Sequence, residues 1–275
     1  MIRGTELLSG KEICPGYRLG RLLGRGAYGH VWEAKVEGRP VALKFLPVGD
    51  DTGSSQEIRS IQAVRQLRHP NLVRIHELWC HRGYIVITME MADSNLRDLL
   101  DAYQLEFGKP MSWGHVCPVL NQAASAIDFL NSRQHLVNGQ RVAFQHGDIK
   151  PSNMLVFGKT IKLSDFGLSS AISSPLKQRR PVGTPDYVAP EVMQGRLSAW
   201  TDQYALAVTY CELRGGRLPF NMSQGLQASE TRPAPDLSML ADAERPIIAR
   251  ALSVVPLDRW PSCGEMMSQL AKVRC

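Results

Sequence analysis

Residues 24–31 read G-R-G-A-Y-G-H-V, so glycines fall at positions 24, 26 and 29 with a valine two residues after the last. Glycines at that spacing let backbone N–H groups approach phosphate oxygens where a Cβ would clash. A dinucleotide-binding turn has similar glycines, but it needs a helix to open straight after the last one. Here His30, Val31, Trp32, Glu33 and Ala34 follow, and they read as a strand. Gly24, Arg25, Gly26, Ala27, Tyr28 and Gly29 are therefore expected on a hairpin. Val41-Ala42-Leu43-Lys44 places a lysine on the next strand, under that hairpin. An ammonium between Ala42 and Phe45-Leu46 is costly to leave unpaired, which predicts an anionic partner: phosphates, or Glu57 on the helix that follows. A plain glycine hairpin and a surface lysine are the blander readings of either feature alone.

A second group lies about a hundred residues on. His146, Gly147, Asp148, Ile149, Lys150, Pro151, Ser152 and Asn153 are followed, across one hairpin, by Asp165-Phe166-Gly167. Taken alone, Asp148 and Asp165 could also be turn or capping carboxylates.

The elements that must carry these residues are legible in outline. Short β-branched and aromatic runs predict strands over 17–23, 31–36, 41–45, 72–79 and 84–89, with turns at Gly38-Arg39-Pro40 and His81-Arg82-Gly83. Apolar Ile58, Ile61 and Val64 at 3–4 spacing predict a helix over 55–67. After Met91 the pattern turns helical, over 96–103, 116–130, 204–213 and 243–252. A Gly-, Pro- and Ser-rich stretch over about 140–195 holds only short strands, and a loop that long is usually functional. The expectation is a small strand-rich lobe over 1–91, a connector near Glu90, Met91 and Ala92, and a larger helical lobe over 92–275. A cleft between two lobes is a usual place for a small ligand.

Composition excludes several classes. Hydrophobic residues at 44% and charged residues at 21% describe a folded globular chain, not a disordered one. The balance of 32 Lys+Arg against 26 Asp+Glu gives +6, which supplies no motif for nucleic acid. Six cysteines lie far apart without a C-x-x-C pair, so they read as reduced thiols, with a cytoplasmic location expected. The N-terminus lacks the apolar core of a signal peptide, and no run of about 18 apolar residues would span a membrane. A cytoplasmic part of a longer, membrane-anchored protein is compatible with the same features.

With G-T-P-D-Y at 183–187 and Ala189-Pro190-Glu191 added, the chain resembles the protein kinase superfamily, specifically bacterial Hanks-type serine/threonine kinases. The ordered motifs cover about 17–271. The resemblance implies an α+β, bilobal fold, with a small antiparallel-sheet lobe carrying one main helix and a larger, mostly helical lobe. It implies ATP and Mg²⁺ (or Mn²⁺) as cofactors, and proteins bearing Ser or Thr as substrates. Asp148 would orient or deprotonate the substrate hydroxyl, Lys150 would sit near the γ-phosphate, and Thr184 would hydrogen-bond to both. Asn153 and Asp165 would ligate the cation, and Lys44 would hold the α- and β-phosphates and pair with Glu57. Adenine would pack against Val31, Ala42 and Leu155, its polar edge on the backbone of Glu90 and Met91 behind Met89. Asp202 would tie down the catalytic loop, and Glu191 would pair with Arg259.

The chain also departs from the family's pattern. Gly147 stands where an arginine is usual, so activity is expected to depend little on a phosphate in the loop that carries Ser169, Ser170, Ser173 and Ser174. Glu57 lies about one helical turn further from His69 than usual, with Ser60 at the expected spacing. Asn138-Gly139 predicts a small inserted hairpin, and the basic cluster at 177–180 receives no role. Two other readings compete. An aminoglycoside-type phosphotransferase shares the H-G-D loop but generally lacks the G-T-P and A-P-E segments. A pseudokinase scaffold would have lost the lysine, the base or the metal ligands, and all are present here.

Overall fold

The computed structural model describes residues 9–26, 29–48, 62, 65–137, 139–165, 170–171, 184–220 and 232–273. It divides into two compact units, Met1–Arg68 with Val73–Asp93, and His69–Leu72 with Ser94–Cys275.

The first unit is an antiparallel sheet of six strands: β1 (Glu12–Cys14), β2 (Tyr17–Gly26), β3 (Gly29–Val36), β4 (Arg39–Pro47), β5 (Ile75–His81) and β6 (Tyr84–Glu90), in the order β1-β2-β3-β4-β6-β5. Strand periodicity sorts the side chains. Trp32, Ala34, Val41, Leu43, Phe45 and Val86 pack with Ile13 and Leu19 into one apolar cluster on one face. The turn predicted at Gly38-Arg39-Pro40 sits one residue earlier. Glu37 and Gly38 both have positive φ (50° and 78°), and Val36 pairs with Arg39, which leaves Pro40 in the strand opposite Lys35. Two positive φ values make the tight turn that matches the strands' twist. Arg82-Gly83 repeats the device at φ 44° and 81° between β5 and β6. The helix expected over 55–67, including Glu57, lies almost wholly outside the described residues.

The second unit contains β7 (Ser94–Asn95), α1 (Leu96–Phe107), α2 (Trp113–Asn131), β8 (His135–Val137), β9 (Gln140–Val142), β10 (Phe144–Gln145), β11 (Met154–Phe157), β12 (Thr160–Leu163), β13 (Ser170–Ala171), α3 (Pro190–Met193), α4 (Thr201–Gly215), α5 (Arg245–Ala251) and α6 (Cys263–Lys272). Asn95 Oδ1 accepts from the N–H groups of Arg97 and Asp98 and opens α1, and Gly108 at φ 63° ends it, a turn beyond the predicted stop. α2 buries Val116, Leu120, Ala123, Ala124, Ile127 and Leu130 on one stripe and packs against α4 and α6. β8 and β9 pair as the hairpin predicted around Asn138-Gly139, with Val137 opposite Gln140.

Sequence reading missed α6. Ser262 Oγ accepts from the N–H of Glu265, and Asp128 on α2 takes the N–H groups of Cys263 and Gly264 at 2.8 Å each. Ser262 and Glu265 carry the S-x-x-E signature of a helix start.

Glu191 on α3 and Arg259 form a buried bidentate pair at 2.8 and 2.7 Å. Ser198 and Thr201 hydroxyls add to Glu191, and Trp200 O accepts from the same guanidinium. Burial alone would raise the Glu191 pKa, but the Arg259 hydrogen bonds and charge bring it below its ordinary value. A carboxyl depressed in this way stabilises the fold above its unfolded pKa, about 4.3, and that contribution is lost as pH falls through the folded value. Arg259→Ala should therefore lower the free energy of unfolding at neutral pH by about 3–5 kcal/mol. In urea titrations the gap from wild type should narrow in acid, and a gap that widens there would contradict the pairing.

Candidate functional site

β10 delivers the chain to His146, and two buried anchors then shape the turn that follows. Asp202, in the first turn of α4 and 1% exposed, accepts the N–H of His146 at 2.7 Å on Oδ2 and that of Gly147 at 2.9 Å on Oδ1. Burial raises its pKa, and the two amide hydrogen bonds oppose the rise. Gly147 sits at φ 80°, a conformation in which a side chain is strained. The glycine that replaces the usual arginine thus fits the backbone it occupies. His146 Nδ1 accepts the N–H of Asp148 at 3.3 Å, which assigns the ring proton to Nε2 and makes it the donor to Ser164 O at 2.7 Å. His146 thereby links the turn to the residue before Asp165.

Asp148 is 7% exposed, and both of its oxygens are engaged. Oδ1 accepts the Thr184 N–H at 3.0 Å and the Thr184 hydroxyl at 2.9 Å. Oδ2 accepts Lys150 Nζ at 2.8 Å and Asn153 Nδ2 at 2.9 Å. Lys150 also donates to Thr184 Oγ1 at 2.6 Å, which closes a ring of three side chains. Burial by itself would raise the Asp148 pKa, yet Lys150, Thr184 and Asn153 together hold it below the usual carboxylate value. The group is thus ionised at neutral pH, with two donors on each oxygen.

A turn of 3₁₀ helix at Pro151–Asn153 brings Asn153 back beneath Asp148, where its amide nitrogen also donates to Asp148 O at 2.8 Å. With the nitrogen committed, the amide oxygen is the end left to act as a ligand. Ser164 N–H and Oγ both donate to Asn153 O, at 2.9 and 3.2 Å, so the backbone leading to Asp165 is fastened to the Asn153 turn. Asp165 itself has φ 67°, uncommon for a residue with a side chain. Such outliers cluster at functional sites. Phe166 and Gly167 lie outside the described residues. One amide oxygen and one carboxylate suit a hard cation that takes its remaining ligands from phosphate and water. Among the described residues no group of three or more His, Cys, Asp or Glu side chains could hold a metal unaided.

In the strand unit, Gly24 pairs with Val31, Arg25 with His30 and Gly26 with Gly29 across a hairpin whose tip, Ala27 and Tyr28, lies outside the described residues. Gly29 has φ 140°, and a Cβ there would come within 1.9 Å of Phe45 O. The hairpin therefore lies hard against β4. Lys44, 6% exposed, pairs with Val31 on one side and Ile87 on the other, and Ala42 pairs with Met89. Alternation puts Val31, Ala42, Lys44 and Met89 on the face opposite the apolar cluster. Glu90 ends β6 and Met91 follows it. Leu155 belongs to the second unit, on β11, opposite Asn95 and Lys162.

One cluster near the site escaped sequence reading. Glu212 on α4 accepts from Arg97 on α1 and from the hydroxyl of Tyr187, three residues past Thr184, and Arg97 also reaches that hydroxyl at 3.4 Å. Arg97 and Glu212 are 115 residues apart, and no local pattern joins them.

A family model described as the protein kinase domain matches residues 17–269. The chain is 32% identical over 227 residues to CBL-interacting protein kinase 4 of Oryza sativa subsp. japonica, covering 78% of this chain and 47% of that protein. It is 29% identical over 276 residues to serine/threonine-protein kinase PknF of Mycobacterium tuberculosis, covering 93% and 56%. To serine/threonine-protein kinase PknD of the same species it is 31% identical over 275 residues, covering 94% and 39%. The chain thus spans about half the length of these relatives, or less.

Asp202→Asn keeps the shape of the anchor but turns an amide N–H₂ toward one of two backbone donors. Leaving a buried donor unsatisfied costs about 1–3 kcal/mol. The variant should melt at a lower temperature, and the His146 and Gly147 amides should lose their protection from hydrogen exchange. Unchanged protection of those two amides would remove Asp202 from its anchoring role.

Proposed function

The chain belongs to the protein kinase domain family, and from that premise we propose that it transfers the γ-phosphate of ATP to serine or threonine hydroxyls of protein substrates. The observation that carries this reading is the Asp148 carboxylate, ionised and held at once by Lys150, Asn153 and Thr184. The relatives named as serine/threonine kinases support the same substrate class. Residues 1–91 would form the lobe that holds the nucleotide and residues 92–275 the lobe that holds the base and the substrate. The chain would work in the cytoplasm, and no helix among the described residues is long and apolar enough to cross a membrane.

Phosphoryl transfer has a loose transition state, so positioning and charge neutralisation supply most of the rate. The substrate oxygen forms its bond to the γ-phosphorus as the bridging β–γ bond breaks, and ADP departs with that electron pair. Asp148 orients the hydroxyl and takes its proton as the transfer completes. An ordinary or lowered pKa suffices, because the hydroxyl becomes acidic only late. Lys150 sits where it can neutralise charge on the moving phosphoryl group. The glycines of 24–29 and Lys44 hold the remaining phosphates, with Glu57 as the lysine's proposed partner. Val31, Ala42, Leu155 and the backbone of Glu90 and Met91 would hold the adenine ring, with Met89 behind it. Asn153 and Asp165 would hold Mg²⁺ (or Mn²⁺), which supplies positive charge to the β- and γ-phosphates.

Labelled phosphate from ATP should appear on a generic basic protein with wild type, and fall by about 10²–10⁴-fold in Asp148→Asn, the range of a positioned acid–base group. Lys44→Met should fall steeply too. Equal transfer by all three proteins would refute the assignment. Gly147 leaves no arginine beside Asp148 to collect a loop phosphate, so phosphatase-treated protein should retain its transfer rate. Abolition of activity by that treatment would show that another cation does the collecting.

A further inference from the structure

Arg232 lies in a stretch without helix or strand, far along the chain from the catalytic turn, and it is 7% exposed. Arginine carries five donors and a permanent charge, so burying it demands partners. Nη1 donates to Asp186 O at 3.1 Å, and Nη2 donates to Pro185 O. Nε is buried without a hydrogen-bond partner among the described residues. The guanidinium lies 4.8 Å from the centre of the Phe220 ring and 5.8 Å from that of Tyr204, and these two rings are within 5° of parallel. Ring faces attract such a cation. The side chain is therefore held beside two rings, with its two Nη groups on two consecutive carbonyls.

Those carbonyls belong to the two residues after Thr184. Thr184 presses its N–H and its hydroxyl on Asp148 Oδ1. Tyr187, three residues on, donates its N–H to Thr184 O at 2.9 Å and its hydroxyl to Glu212. The segment 184–187 is thus gripped at one end by Asp148, at the other by Glu212, and in the middle by Arg232. A planar fork presents both donors in fixed directions, which the single ammonium of a lysine does not.

We propose that Arg232 is a positioning residue for phosphoryl transfer: by fixing the Pro185 and Asp186 carbonyls it keeps Thr184 seated on Asp148. The proposal rests on the kinase reading above for its effect on rate, but not for its effect on the segment itself.

The test uses the whole chain, as wild type, Arg232→Ala, Arg232→Lys, Thr184→Ala and the Arg232→Ala/Thr184→Ala double variant. Tyr210→Phe, which removes a buried hydroxyl from Glu244, serves as a control that weakens the same unit elsewhere. In Arg232→Ala, which loses two charge-assisted hydrogen bonds, kcat for transfer to a basic protein should fall on the order of tenfold or more. KM for ATP should hold. Arg232→Lys should recover part of the rate, and the double variant should be no slower than Thr184→Ala alone. In hydrogen exchange, the Thr184 and Tyr187 amides should open in Arg232→Ala while the His146 and Gly147 amides, held by Asp202, stay protected.

Additive losses in the double variant, a kcat loss matched by Tyr210→Phe, or exchange that quickens evenly through the unit would overturn the proposal. Should Arg232→Ala fail to fold, Arg232→Lys carries the same comparisons, because it keeps the charge and loses the fork. If wild type transfers no phosphate, the kinase reading falls, and the exchange pattern at Thr184 still decides whether the clamp exists.

Discussion

Five carboxylates are buried among the described residues of the helical unit: Asp148, Glu191, Asp202, Glu212 and Glu244. An ionised carboxylate removed from water is tolerable only when donors surround it, and each of these organises its neighbourhood by collecting them. Asp202 gathers two backbone amides, Glu191 a guanidinium and two hydroxyls, and Glu212 an arginine and a phenol. Glu244 takes the Tyr210 hydroxyl, Arg214 and the Ala241 amide. Asp148 collects Lys150 and Asn153 from its own turn and Thr184 from a segment 36 residues on. Its surroundings obey the same rule as the structural four, which is why the site can be stiff without extra scaffolding.

The strand unit solves a different problem with alternation. One face of β3 and β4 is given to an apolar cluster, and the other presents Val31, Ala42 and Lys44 from adjacent strands. A lysine on the second face can be buried without disturbing the first, because successive side chains point in opposite directions. The close approach of Gly29 to Phe45 O locks the glycine hairpin to the same strand that carries the lysine. Backbone amides and ammonium are thereby set on one rigid ladder.

Local chemistry was legible in the sequence, and assembly over distance was legible only through family resemblance. Strands, turns and most helices follow from periodicity and from glycine, proline and capping residues within a few positions. The turn at Glu37-Gly38 was misplaced by one residue because Gly-Arg-Pro looks like a turn, whereas twist matching favours positive φ at two residues. α6 was missed although Ser262 and Glu265 announced it. The pairs Asp202–His146, Glu191–Arg259 and Thr184–Asp148 were expected from the motifs, and the structure contains them. Arg97–Glu212 and the Arg232 hydrogen bonds had no such guide, since neither belongs to a motif and the carbonyls and carboxylate involved lie 46 to 115 residues away.

α4 carries Asp202 at one end and Glu212 near the other, ten positions apart, or about 15 Å along a helix axis. The first holds the backbone of the turn before Asp148 and the second holds Tyr187. The helix consequently works as a ruler between the turn that carries Asp148 and the segment that carries Tyr187. Inserting or deleting one residue inside it would swing one anchor by roughly 100° about the axis relative to the other. Length variation between descendants of this chain should therefore be absorbed outside those ten positions, and drift there is restricted to exchanges that leave the count unchanged.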